Sequence, residues 1–324
     1  MLKKWLPLAL KFVVSVALIW FLISRIDLAD TLARIRGIDL RMLVMAVAVL
    51  ALQILICGLR WQAVLDAIKA PLNFVRTTLL FYIGIFFNQT LPSSVGGDAV
   101  RMYKARRAGL ELSAAVNSVM LERAATVVAL LVLVLATLPI FLNRVSDKAG
   151  TLLLLAVALL SVAIIGGLAF LMLLDRLPER LRKWRIVRGL ANLAIDARRV
   201  FLVPGPAVRA VGWGVMGHIN IAISVYVLAV GMGLDITLID CLTLMPLVLL
   251  ATTIPISIAG WGIREGAMIA AFGAVGVPET GAFALSVLFG LVGIAISLPG
   301  GLIWLMMRDD ATQDDARAVE AAGP

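Results

Sequence analysis

The sequence predicts an all-α polytopic membrane protein, built as two inverted repeats with about six full spans and two re-entrant helix pairs. Three observations carry this expectation. Hydrophobic residues fill 62% of 324 positions and mean hydropathy is +1.03, whereas a soluble domain is near half apolar. Apolar runs long enough to cross a bilayer recur along the chain, since a hydrocarbon core of about 30 Å takes about 20 helical residues. Two polar stretches broken by Pro and Gly, TLPSSVGGDAVR (90–101) and TIPISIAGWGIR (253–264), interrupt those runs at an offset of 163. The alternation of an outer-membrane barrel strand is absent.

The first span, 5–24, follows MLKKW and ends without a small-residue cleavage pattern. It reads as a retained helix, not a removed signal peptide. A second span covers 40–60. The apolar segment 74–91 then runs into the first broken stretch, and a short helix follows at 98–108. Full spans at 113–138, 150–174 and 206–231 come next. The segment 237–254 enters the second broken stretch, with a short helix at 262–275 and a last span at 281–306. Each broken stretch is expected to enter the membrane, turn and leave on the same side. Irregular backbone at membrane depth is tolerated only inside protein or along a wet cavity. The chain thus reads as a single transmembrane domain, 1–308, in halves 1–147 and 148–308 with a basic linker at 175–205. The tail, 309–324, is acidic and Ala-rich, a composition expected to be disordered.

Charge orients the chain. The net charge is +9, from 29 Lys and Arg against 20 Asp and Glu. No basic domain stands apart from the spans, so the excess fits cytoplasmic loops facing anionic lipid and not nucleic acid. The segment 175–209 holds nine Arg and Lys and is expected in the cytoplasm. Leu177, Leu181 and Trp184 recur there at helical spacing, the pattern of an interfacial amphipathic helix. Counting spans back puts Arg101–Arg107, Lys3 and Lys4 on the same side, with both termini cytoplasmic; the loop with Arg25, Arg34, Arg36 and Arg41 runs against this count. Cys57 and Cys241 lie in apolar segments without metal-ligand spacing and read as small buried hydrophobes.

The repeat rests on particular residues. At the common offset Thr90 falls on Thr253, Pro92 on Pro255, Ser94 on Ser257, Gly97 on Gly260 and Arg101 on Arg264. Three full spans separate the copies, so they lie on opposite sides and the repeat is inverted, as in many transporters. Pro92 and Pro255 end the helices going in. Gly96, Gly97, Gly260 and Gly262 permit the turn. The helix that follows starts inside the protein, where unpaired N–H groups and the positive dipole end suit an anion. Arg101 and Arg264 can grip phosphate bidentately, and Ser94 and Ser257 add hydroxyls. Asp98 and Glu265 stand beside the arginines and can pair with them, and Asn88 closes the first apolar segment. Glu122 and Arg123 lie within a span and are functional candidates or a structural brace; neighbours on a helix do not face each other, so each needs its own partner. His218, the only histidine, reads more readily as a packing residue than as a proton relay. No metal cluster, nucleotide loop or nucleophile elbow is present in the sequence, so neither a cofactor nor catalysis is expected.

The stretches FFNQTLPSSVGGDAVRMYKARR, LERAATVVALL and IPISIAGWGIREGAM resemble the transmembrane domain of the lysylphosphatidylglycerol synthases, a flippase-like membrane family, across about residues 5 to 306. The resemblance implies a bacterial inner-membrane protein that moves a modified phospholipid or lipid-linked head group between leaflets. It carries over to Asn88, Pro92, Ser94, Gly96, Gly97, Asp98, Arg101, Glu122, Arg123, Pro255, Ser257, Gly260, Gly262, Arg264 and Glu265. The synthases carry a soluble aminoacyl-transfer domain after the membrane part, and this sequence stops at a short acidic tail; lipid lysylation is not expected of it. The expected partners are membrane lipids (an anionic or modified phospholipid, or a polyprenyl-linked lipid), with a separate lipid-modifying enzyme and a homo-oligomer left open. Two rival readings stand: a polyprenyl-phosphate glycosyltransferase using Asp98 or Glu122 as base or metal ligand, and an accessory subunit of a lipid synthase.

Overall fold

The computed structural model describes residues 13, 20–24, 26–91, 96–143, 147–176, 184–253 and 260–321, with backbone alone at 147–149, 185–186 and 308–321. The expected first span, the turn residues Pro92 and Pro255, and Ser94 and Ser257 lie wholly or almost wholly outside the described residues. Every regular element among the described residues is helical.

A short helix, α1 (Leu28–Arg36), starts where the Asp27 carboxylate accepts from Ala29 N and Asp30 N. Next, α2 (Leu40–Ala67) is capped by Asp39, and α3 (Phe74–Thr90) by Asn73. Then come α4 (Gly96–Arg107), α5 (Leu112–Leu142), α6 (Asp147–Leu173) and α7 (Arg185–Phe201). The second half holds α8 (Pro204–Gly231), α9 (Leu238–Thr252), α10 (Ile263–Gly273) and α11 (Glu279–Ala321). Pro204 opens α8, where its missing N–H costs nothing, and a reciprocal Thr237–Asp240 capping box opens α9.

Five stretches are long and apolar enough to cross a bilayer: Leu40–Ala67, Leu112–Leu142, Gly150–Arg176, Pro204–Gly231 and Glu279–Met307. They match five of the six expected spans. The four helices at the broken stretches are shorter. At 17 and 12 residues, α3 and α4 are about 25 and 18 Å long, short of a core of about 30 Å. They pack along each other, as do α9 and α10. Gly97 makes the first of these hairpins possible: a Cβ there would lie 2.0 Å from Gly84 O and 2.6 Å from Asn88 Oδ1.

Among α2–α5 and α8–α11 the packed pairs are unchanged when the halves are exchanged. The central contact is α2 on α8. Around it α3 packs on α11 as α9 packs on α5, α4 on α5 as α10 on α11, and α2 on α5 as α8 on α11. One apolar core joins Trp61, Leu65, Leu80, Ile83 and Val119; the larger joins Leu228, Met245, Met268, Phe272 and Leu285. The outside is as apolar as the inside: α6 exposes Leu152, Val162 and Phe170, the face a lipid solvent requires.

Two expectations meet a different structure. The amphipathic helix anticipated around Leu177–Trp184 falls mostly outside the described residues, and the helix in that linker is α7, further along. Its apolar residues Leu193, Ala197 and Val200 pack on Ala63 and Val64 of α2 and Leu121 of α5, so protein takes up that part of its apolar face. The backbone of α11 stays helical to Ala321, where composition suggested disorder. Ala-rich sequence has high helix propensity, and the span ahead of it supplies the nucleus that an isolated helix lacks.

Candidate functional site

Three helices bring five formal charges together. Arg60 lies on α2, Asp98 and Arg101 on α4, and Glu122 and Arg123 on α5. Glu122 is 1% exposed and Arg101 2%. One Glu122 oxygen accepts from Arg60 Nε at 2.7 Å, with Arg60 Nη2 also on it. The other accepts from Arg101 Nη2 at 2.8 Å. Arg101 also stands 3.3 Å from Asp98, and Arg123 Nε donates to the second Asp98 oxygen at 2.8 Å. Glu122 and Arg123 thus find separate partners, as their adjacency on a helix demands. Three guanidiniums face two carboxylates, which leaves one positive charge in the cluster.

Aromatic rings hold Arg101 in place. Its Cζ lies 4.6 Å from the Trp61 ring centroid and 4.5 Å from that of Phe81, a cation–π sandwich that desolvation strengthens. Its Nε is buried without a hydrogen-bond partner. Arg101 is therefore a braced cation behind the cavity wall. The cation in front is Arg123, whose side chain is 49% exposed. A cavity of about 580 Å³ opens there, lined by Arg60, Asp98, Arg123, Thr126, His218 and Gln53 among others. His218 Nε2 lies 3.1 Å from Thr126 O, so Nε2 donates and Nδ1 is left an acceptor, buried without a partner.

The second broken stretch builds a related arrangement. Gly260 and Gly262 take φ of +79° and +88°, a left-handed backbone that glycine adopts without Cβ strain. Gly262 N donates to Glu265 Oε2 at 2.6 Å. Arg264 Nη2 donates to Glu265 Oε1 at 2.7 Å, and Ser286 Oγ lies within 3.2 Å of both residues. Arg264 lies over Trp261 at 4.6 Å, as Arg101 does over Trp61. Gly290 leaves it room, since a Cβ there would come 2.2 Å from Arg264 Nη2. Arg264 lines a separate cavity of about 160 Å³ with Gln53, Gln89 and Phe289.

Gln53 and Ile221 line both cavities. Gln53 Oε1 accepts from Asn220 Nδ2 at 3.0 Å, so Asn220 of α8 holds in place the Gln53 that stands with Ile221 between the two spaces.

Of the expected site residues, Asp98, Arg101, Glu122 and Arg123 come together in one cluster, and Arg264 and Glu265 in another. Asn88 accepts from Gly97 N at 3.0 Å, so it caps α4 and occupies one N–H of the helix start reserved for an anion. Sequence reasoning missed Arg60, Trp61, Phe81, Gln53 and Ser286. Arg60 had a signal: the expected span ended on it, as at a boundary, yet α2 runs on to Ala67 and buries it. An arginine so placed within a span is a functional candidate.

The fold and this charge cluster define a polytopic helical membrane protein with ionised groups held inside its bundle. The chain belongs to the lysylphosphatidylglycerol synthase transmembrane-region family, which it matches over residues 8–301. It is also similar to a UPF0104 membrane protein of Pyrococcus horikoshii, at 25% identity over 108 residues. That match covers 33% of this chain and 31% of the relative.

Proposed function

We propose that this protein moves a phospholipid or lipid-linked head group between the leaflets of a bacterial inner membrane, without catalysing a covalent step. The carrying observation is the pair of cavities, one on Arg60, Asp98 and Arg123 and one on Arg264, divided by Gln53 and Ile221. A head group would rest on one set of cations, pass the amide pair and reach the other, while its acyl chains stay in lipid. The interchangeable helix contacts support an inverted repeat with the site at its interface, the arrangement by which transporters expose one site to two sides. Membership of a family named for a lipid synthase's membrane region supports a lipid cargo. The basic residues of α7 and of Arg101–Arg107 support a cytoplasmic location for that face and for both termini.

The rival transferase needs Asp98 or Glu122 as base or metal ligand. Guanidiniums already hold both, which favours transport.

The test is reconstitution in liposomes carrying fluorescent phosphatidylglycerol, phosphatidylethanolamine or a polyprenyl phosphate, with a membrane-impermeant quencher outside. Transport predicts quenching of the inner-leaflet pool for at least one lipid. Movement equal to that in empty liposomes for every head group overturns the proposal.

A further inference from the structure

A polar hollow and an apolar groove lie outside the charge cluster, on the flank where α7 meets α5. The hollow, of about 600 Å³, is bounded by Lys69 after α2, Glu111 ahead of α5, and Asn192, Asp196 and Arg199 on α7. Asp196 is fixed there, taking Arg199 Nη1 at 2.9 Å and Asn117 Nδ2 at 2.8 Å. Beside the hollow runs an apolar groove of about 320 Å³ between Leu112, Val116 and Met120 of α5 and Gly189, Leu190 and Leu193 of α7. Ser113 and Asn117 line both hollow and groove. Met120 lines both the groove and the cavity at Arg123. Residues 113, 116, 117, 120, 123 and 127 thus form one stripe of α5 at helical spacing. Ten residues separate Ser113 from Arg123, about 15 Å along the axis, which is half the thickness of the hydrocarbon core.

The geometry points to a phospholipid as the occupant: head group in the hollow and one acyl chain in the groove, on the same stripe of α5 that carries Arg123. The hollow sets cations beside anions, the surroundings that a phosphate bearing hydroxyl or ammonium donors requires. The groove is apolar and open on a helix flank, and Met120 stands between it and the cation-lined cavity. The inference rests on the transport reading for its purpose, but the binding site is testable alone.

The experiment uses the full chain in liposomes with phosphatidylglycerol carrying a photoreactive acyl chain. Cross-links are expected to concentrate on 112–120 and 187–193 and to fall when unlabelled phosphatidylglycerol is added. Gly189→Trp plugs the groove at a position where an added Cβ meets nothing within 4 Å. With thermal unfolding unchanged, it is expected to lose those cross-links and slow translocation about tenfold each, whereas Gly189→Ala keeps both. Cross-links spread evenly over lipid-facing α6, or unchanged in Gly189→Trp, overturn the site. Competed groove cross-links in a wild-type protein that moves no lipid uphold the site while the transport reading fails.

Discussion

At the scale of single residues, Glu122 shows what an ionised group inside a bundle requires. Each of its oxygens takes guanidinium donors. Glu122→Gln leaves Arg60 and Arg101 buried with one carboxylate fewer, and breaking such a set costs about 3–5 kcal/mol. Denaturant unfolding in detergent should show a loss of that size. Arg123 is the opposite case. Its side chain is half exposed to the cavity, and its partner Asp98 keeps Arg101 at 3.3 Å when it is gone. Arg123→Ala should therefore cost less stability than Glu122→Gln while translocation falls about tenfold. Equal loss of stability in both variants would show that the environments of Glu122 and Arg123 do not differ as described.

At the scale of elements, the α3–α4 hairpin depends on backbone closeness. Gly97→Ala sets a methyl against Gly84 O. Overpacking of that kind costs about 1–3 kcal/mol. Limited proteolysis should cut between α3 and α4 faster in this variant. Gly109→Ala, where φ is +104° but nothing lies within 4 Å of the added Cβ, carries only the backbone strain and should leave the hairpin closed. The two short-helix pairs were legible in the sequence to within two residues at each end. The signals were local: a proline to stop one helix, glycines to turn, and a polar residue to start the next. The inward use of α7 was not legible. Amphipathicity reports that a helix has an apolar face, and neither lipid nor protein is named by it.

At the scale of the whole molecule, the proposal makes Gln53 and Asn220 the divide between two cavities. With Cys57 and Cys241 replaced by Ala, Gln53→Cys with Asn220→Cys should be bridged by a short, reducible bis-methanethiosulfonate reagent that ties α2 to α8. Lipid movement should stop when the pair is bridged and return on reduction. Movement that continues through the bridged protein would show that the path does not cross this divide.

The sequence by itself determined the membrane class, the five long spans and the two short-helix pairs, because each rests on composition or on local periodicity that needs no partner; it left α1 inside a loop and set the linker helix too early. It also marked Asp98, Arg101, Glu122, Arg123, Arg264 and Glu265, since charge inside an apolar chain stands out wherever it folds. Only the tertiary structure decided who pairs with whom. Arg60 joins Glu122 across 62 residues, Trp61 and Phe81 close on Arg101, and Gln53 meets Asn220 across 167. Those contacts follow from the packing of α2 against α3, α5 and α8 and of α3 against α4, and packing depends on side-chain shape across helices that no stretch of sequence holds together.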